Sequence, residues 1–154
     1  MIRHVQPEDY GYIVKTWVRS YASSPFALAV GPAHEAKAFE RPDGGVRWSA
    51  GRTYQAGHYE LVNKLLREET ALVAEDSTDE GPVLVGFVVG EPARRVLHYV
   101  FVRELERGKG VARALVGELL GPGPVTFTHQ TQLVRPERLP QGWRFTAYPL
   151  MGAA

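Results

Sequence analysis

One stretch of this chain leaves little freedom of local fold. Leu97-His98-Tyr99-Val100-Phe101-Val102-Arg103 is followed by Arg107-Gly108-Lys109-Gly110-Val111-Ala112 and then by Arg113-Ala114-Leu115-Val116-Gly117-Glu118-Leu119-Leu120. The order reads as strand, glycine-bearing turn and helix. Val111, Ala114, Leu115, Leu119 and Leu120 recur at helical spacing, so one face of the helix packs on a sheet and holds the turn rigidly.

A turn of this kind exposes several backbone N–H groups at a helix N-terminus. The positive end of the macrodipole and the unpaired donors together favour a bound phosphate. Gly110 lets backbone approach a ligand with no Cβ in the way, Ala112 keeps the first helical turn slim, and Arg107 and Lys109 add positive charge at the mouth. The same residues also suit a tight connection with solvated cations, so spacing alone leaves both readings open. The segment is not the G-x-x-x-x-G-K-[ST] loop, and Gly108 and Gly110 lack the third glycine of G-x-G-x-x-G.

With 154 residues and 44% hydrophobic content, the chain is long enough for one compact domain, 1–154, with a substantial core. A formal net charge of +1 gives no support to nucleic acid or an anionic membrane surface as partner. Absence of cysteine excludes disulfides, a thiolate nucleophile and cysteine-ligated metal. His4, His34, His58, His98 and His129 show no i, i+3 or i, i+4 pairing, so no metal site is expected. Met1 to Val5 lacks the apolar core of a signal peptide, and no apolar run approaches the roughly 20 residues that cross a bilayer. A soluble, cytoplasmic protein is the expectation.

Ile2 to Val5 is a strand candidate, and Pro7-Glu8-Asp9 opens a helix that runs to about Tyr21. Tyr10, Ile13, Val14, Trp17, Val18 and Tyr21 form one apolar stripe. From Ser23 to Gly57, prolines and glycines interrupt every period, and the segment is too long for an idle connection. Phe26, Phe39, Trp48 and Tyr54 within it suit either a pocket lining or an anchor. Helical periodicity returns over His58 to Glu69, with Tyr59, Val62, Leu65 and Leu66 on one side. Ala71 to Ala74 and Val83 to Gly90 read as paired strands around a polar turn at 76–82. Val125 to His129 and Trp143 to Tyr148 are two further strands, separated by a segment broken at Pro136 and Pro140.

Arg107, Gly110 and Ala112 match the Arg-x-x-Gly-x-Ala form of the pyrophosphate-loop signature of the GCN5-related N-acetyltransferases, the GNAT superfamily, and the segment resembles that loop residue by residue. Gly86-Phe87-Val88-Val89 is similar to the family's third strand, and the strand ending at Val102 to its fourth. A narrower resemblance, to short GNAT-like proteins of bacteriophages and prophages, is carried by Trp17 to Tyr21 with Ser24-Pro25-Phe26, by His58-Tyr59 and by Leu97 to Val102.

The resemblance implies an α/β (α+β) GNAT fold. Its central mixed, mostly antiparallel sheet is splayed between the family's fourth and fifth strands and flanked by helices, here with a shortened C-terminal part. It implies transfer of acetyl from acetyl-coenzyme A to a primary amine, on a small molecule or a protein, by direct attack. Backbone groups near Val100 and Val102 would hold the acetyl oxygen and pantetheine arm, and Arg107, Gly108, Lys109, Gly110, Val111 and Ala112 the pyrophosphate. The 23–57 region would form acceptor-binding surface. His98, Glu91 and His129 are the candidates for the proton-removing base, histidine having the pKa nearest neutrality. Many members carry a tyrosine after the fifth strand as general acid; Gln130 to Gly142 contains none, and Tyr148 comes later. The alternative is therefore an inactive GNAT-fold binding or structural module. Oligomeric state is open, a homodimer being one option.

Overall fold

The computed structural model describes residues 1–131 and 135–147. Its elements are β1 (Ile2–His4), α1 (Tyr10–Tyr21), α2 (Pro25–Ala29), β2 (Lys37–Glu40), β3 (Val46–Ser49), α3 (Arg52–Glu68), β4 (Thr70–Thr78), β5 (Gly81–Glu91), β6 (Val96–Val102), α4 (Val111–Leu120), β7 (Thr126–Phe127) and β8 (Arg144–Phe145). Six strands form one sheet in the order β1-β4-β5-β6-β7-β8. Pairing is antiparallel from β1 through β6 and parallel for β6–β7 and β7–β8. The fold is mixed α/β, with helices against a mostly antiparallel sheet.

Sequence patterning explains both faces. Along α1, Ile13, Val14, Trp17, Val18 and Tyr21 are buried, and they join Phe87, Val89 and Tyr99 of the sheet in one core with α3. Tyr10, the first residue of the expected stripe, is exposed. Asp9 ties the start of α1 to β1: its carboxylate accepts from Gln6 N–H at 2.9 Å and from Arg3 at 2.8 Å. On the other face Leu115 and Leu119 of α4 pack with Val88, Leu97 and Phe127. Gly86 and Gly90 leave no room for a side chain there: an added Cβ would run into the β6 carbonyls of Phe101 and Val96 and crowd Leu115 Cδ1 at 3.3 Å and Leu119 Cδ2 at 3.1 Å. Arg95 fixes the far end of α4, donating to the carbonyls of Leu120 at 2.6 Å and Pro124 at 2.8 Å.

Several boundaries differ from the sequence expectation for identifiable reasons. The 23–57 region is ordered by a short helix and the β2–β3 hairpin, in which Phe39, Val46 and Trp48 are exposed, whereas Tyr54 is core. The second long helix begins at Arg52, six residues before the expected His58. Its first turn is capped from afar: Glu35 accepts from Thr53 N–H at 3.0 Å and from Thr53 Oγ1 at 3.1 Å. With the helix so placed, His58 turns inward and Tyr59 outward. β4 continues through the polar residues expected to turn, because Glu75 to Thr78 pair with β5. The last two strands are only two residues each, and Tyr148 lies outside the described residues. Among the described residues no helix is long and apolar enough to cross a membrane.

Candidate functional site

The sheet opens between β6 and β7. Their parallel pairing covers only Val96 with Thr126 and Leu97 with Phe127, and Thr128 N–H donates to the Leu97 carbonyl at 3.0 Å. Beyond that point Tyr99 to Val102 pair with β5 alone. Arg103 N–H bonds the Val85 carbonyl of β5, and Arg107 Nε reaches the Val102 carbonyl from the opposite side at 3.0 Å. Strand alternation therefore directs the main-chain groups of Val100 and Val102 into the gap.

A cavity of about 800 Å³ runs along α4 on one face of this gap, past Ala112, Val116, Phe127 and His129. A smaller one, about 190 Å³, lies on the α1 face beside Ser20, Ser24, Arg47 and Arg107. Tyr99, Val100 and Thr131 line both, so the cavities meet at the gap.

At the glycine turn, Gly108 and Gly110 hold φ of +81° and +85°, and a Cβ at either would meet nothing within 4 Å. The first main-chain bond of α4 runs from Ala114 N–H to the Gly110 carbonyl at 3.0 Å, so the amides of Val111, Ala112 and Arg113 open the helix ahead of it. The expected charge at the mouth is redistributed, however. Lys109 Nζ is paired with Glu106 at 3.1 Å, and Arg107 folds back over the Phe101 ring toward the smaller cavity.

Two of the three base candidates are brought together. His98 is the extra residue of a β-bulge, since Val89 pairs with Tyr99 and Gly90 with Leu97. The bulge sends Leu97 to the α4 face and Tyr99 to the α1 face, where simple alternation would put both on one side. His98 Nδ1 lies 2.9 Å from Thr128 Oγ1, which lies 3.0 Å from His129 Nδ1. One hydroxyl proton serves this chain, so the two imidazoles hold complementary tautomers when both bonds are made, one donating through Nδ1 and the other accepting there. At the other end, His98 Nε2 is 4.0 Å from Glu69 Oε1. Glu91, the third candidate, is outside this hydrogen-bonded chain, at the end of β5 near Glu69, with Arg94 3.5 Å away.

All three groups of the chain are buried. Burial, with Arg94 nearby, pushes His98 down to about 4, and burial with the neighbouring histidines holds His129 well below its ordinary range. Both are neutral at pH 7. Burial raises the Glu69 carboxyl, helped by Glu91 and Glu68. Thr128 and Glu69 were not legible as site residues; the only hint was the Thr-His dipeptide at the end of a strand candidate. His129 also packs edge-on against Trp17 and Tyr21, with centroids 5.2 and 4.8 Å away.

His58 completes this aromatic wall between Tyr21 and Tyr54, with centroids 5.3 and 5.1 Å away, and its buried Nε2 makes no hydrogen bond among the described residues. Burial pushes His58 down to about 4. The unfolded imidazole protonates below about 6.5 and the folded one does not, so the unfolded state binds more protons between these values and stability falls with pH there. The loss from His58 alone is about 2 kcal/mol by pH 5. We expect His58→Phe, which keeps the stack, to recover most of that at pH 5 relative to pH 8 in urea titrations. An unchanged pH slope would exclude His58 as its source.

Among the described residues no set of three or more histidine, aspartate and glutamate side chains is arranged to hold a metal. Against known proteins, the sequence matches the acetyltransferase (GNAT) family model over residues 28–121. No curated protein matches it. Solved structures similar to it include apo-form YjaB from Escherichia coli, at 22% identity and TM-score 0.45, covering 77% of this chain and 63% of that one. A GCN5-related N-acetyltransferase from Rhodopseudomonas palustris matches at 17% and 0.45, covering 77% and 62%. Ribosomal-protein-alanine N-acetyltransferase from Brucella melitensis biovar Abortus 2308 matches at 23% and 0.40, covering 77% and 67%. This chain thus spans less than two thirds of the first two.

Proposed function

The chain belongs to the acetyltransferase (GNAT) family, and on that premise we propose that it transfers acetyl from acetyl-coenzyme A to a primary amine by direct attack. The observation that carries this reading is the gap between β6 and β7, where a large cavity along α4 meets a small polar one on the opposite face.

The residues fit coenzyme A. Gly108 and Gly110 form a cradle open to a ligand, the leading amides of α4 suit a pyrophosphate, and the main chain of Val100 and Val102 faces the gap where a pantetheine arm would lie. On this reading Arg107, Lys109, Val111 and Ala112 contribute mainly backbone. When bound, the thioester supplies an acetyl group activated toward an amine.

The chain's own task is to place the acceptor and remove a proton from its ammonium. His129, at the gap, takes the proton at Nε2 and gives its Nδ1 proton to Thr128 Oγ1, whose own proton passes to His98 Nδ1; the Nε2 proton of His98 faces Glu69 beyond. Burial makes both imidazoles weak bases, which suits relaying a proton rather than keeping it. Glu91, paired with Arg94 at the far end of β5, is the least suited candidate. The phage or prophage origin is part of the same proposal and rests on the resemblance around Trp17, His58 and Leu97 alone.

Calorimetric titration with acetyl-coenzyme A, followed by thiol release over an amine panel, tests the reading. Binding at about 100 µM or tighter, with turnover, is the expected result. No binding at that concentration overturns it, and binding with no turnover on any amine favours the non-catalytic module.

A further inference from the structure

We propose that the smaller cavity is an anion subsite, and that the acceptor is a small amine carrying its own carboxylate or phosphate. The amine part of this statement rests on the acetyltransferase reading; the anion site stands on separate ground. Arg47 reaches the cavity from β3 and Arg107 from the glycine turn, and among the described residues no acidic side chain lines it. Neither arginine enters any of the ion pairs among the described residues. Each is nevertheless positioned. Arg107 lies 5.9 Å over the Phe101 ring with Nε bound to the Val102 carbonyl, which leaves its two terminal nitrogens for a ligand. Arg47 lies 5.6 Å over Phe39 on the same hairpin.

Two preorganised guanidinium groups without carboxylate partners suit bidentate recognition of an anion. Their field repels a simple ammonium, so an acceptor without negative charge gains nothing there. An acceptor that brings an anion is held, and the remaining positive potential favours the neutral amine that attacks. About 190 Å³ is roughly six water volumes, room for an acid group and a short aliphatic chain. Because Tyr99 and Val100 line this cavity and the one along α4, the amine end of such a molecule reaches the gap.

The test compares twins that differ only in the acid: γ-aminobutyrate with n-propylamine, and phosphoethanolamine with ethanolamine. Each is titrated calorimetrically into the free protein and into protein loaded with coenzyme A, so the result does not depend on turnover. The expected result is binding at least about tenfold tighter for one or both anionic members, the two pairs separating carboxylate from phosphate. Arg47→Ala, on an exposed hairpin, should bring each pair to within about twofold with coenzyme A affinity unchanged. Equal affinity within both pairs, no binding of either anionic member, or an Arg47→Ala effect equal on both twins overturns the subsite. Failure of coenzyme A to bind overturns the acetyltransferase reading instead, and the free-protein titrations still decide the anion site.

Discussion

Gly110→Glu is expected to lower acetyl-coenzyme A affinity by roughly a thousandfold while the protein stays folded. A Cβ at position 110 meets nothing within 4 Å, so there is no clash. The backbone at φ +85° imposes a strain of about 1–2 kcal/mol on any non-glycine residue. A carboxylate beside a helix N-terminus offsets part of that by about 0.3–1 kcal/mol, because it complements the macrodipole. The same carboxylate occupies the amides of Val111 to Arg113 and repels an incoming pyrophosphate. Gly110→Ala carries the strain without the charge and should cost less than about tenfold. Calorimetry on both variants, with thermal unfolding as control, checks this. A Gly110→Glu protein that bound within about threefold of the parent would remove the turn from the cofactor site.

His129→Phe is expected to lower kcat by about 10²–10⁴-fold with coenzyme A affinity unchanged. Phenylalanine keeps the ring against Trp17 and Tyr21 and removes both nitrogens, which separates proton transfer from packing. Thr128→Val breaks the same relay at its middle, and the double variant should be little worse than either single one, because the groups act as a unit. Stopped-flow and steady-state measurements that gave additive losses, or a change only in KM, would reduce His129 to a packing residue.

The strand, turn and helix from Leu97 to Leu120 were legible because each obeys a local rule: alternation, a left-handed glycine position and a helical apolar stripe. α1 was legible for the same reason. The first turns of α3 were not, since their cap is Glu35, eighteen residues away in sequence. Nor was the small cavity, which draws on α1, β3, β6 and the glycine turn at once. The direction of Arg107 was not legible either, because a side chain beside a glycine loop carries no sign of which face it will take.

By itself, then, the sequence determined the strand, the glycine turn and the helix and their order, all written in residues adjacent along the chain. Only the tertiary structure decided which histidines share the Thr128 hydroxyl. The bulge at His98 and the early end of β7 turn His98, Thr128 and His129 toward one another, where regular alternation would have sent neighbouring side chains to opposite faces.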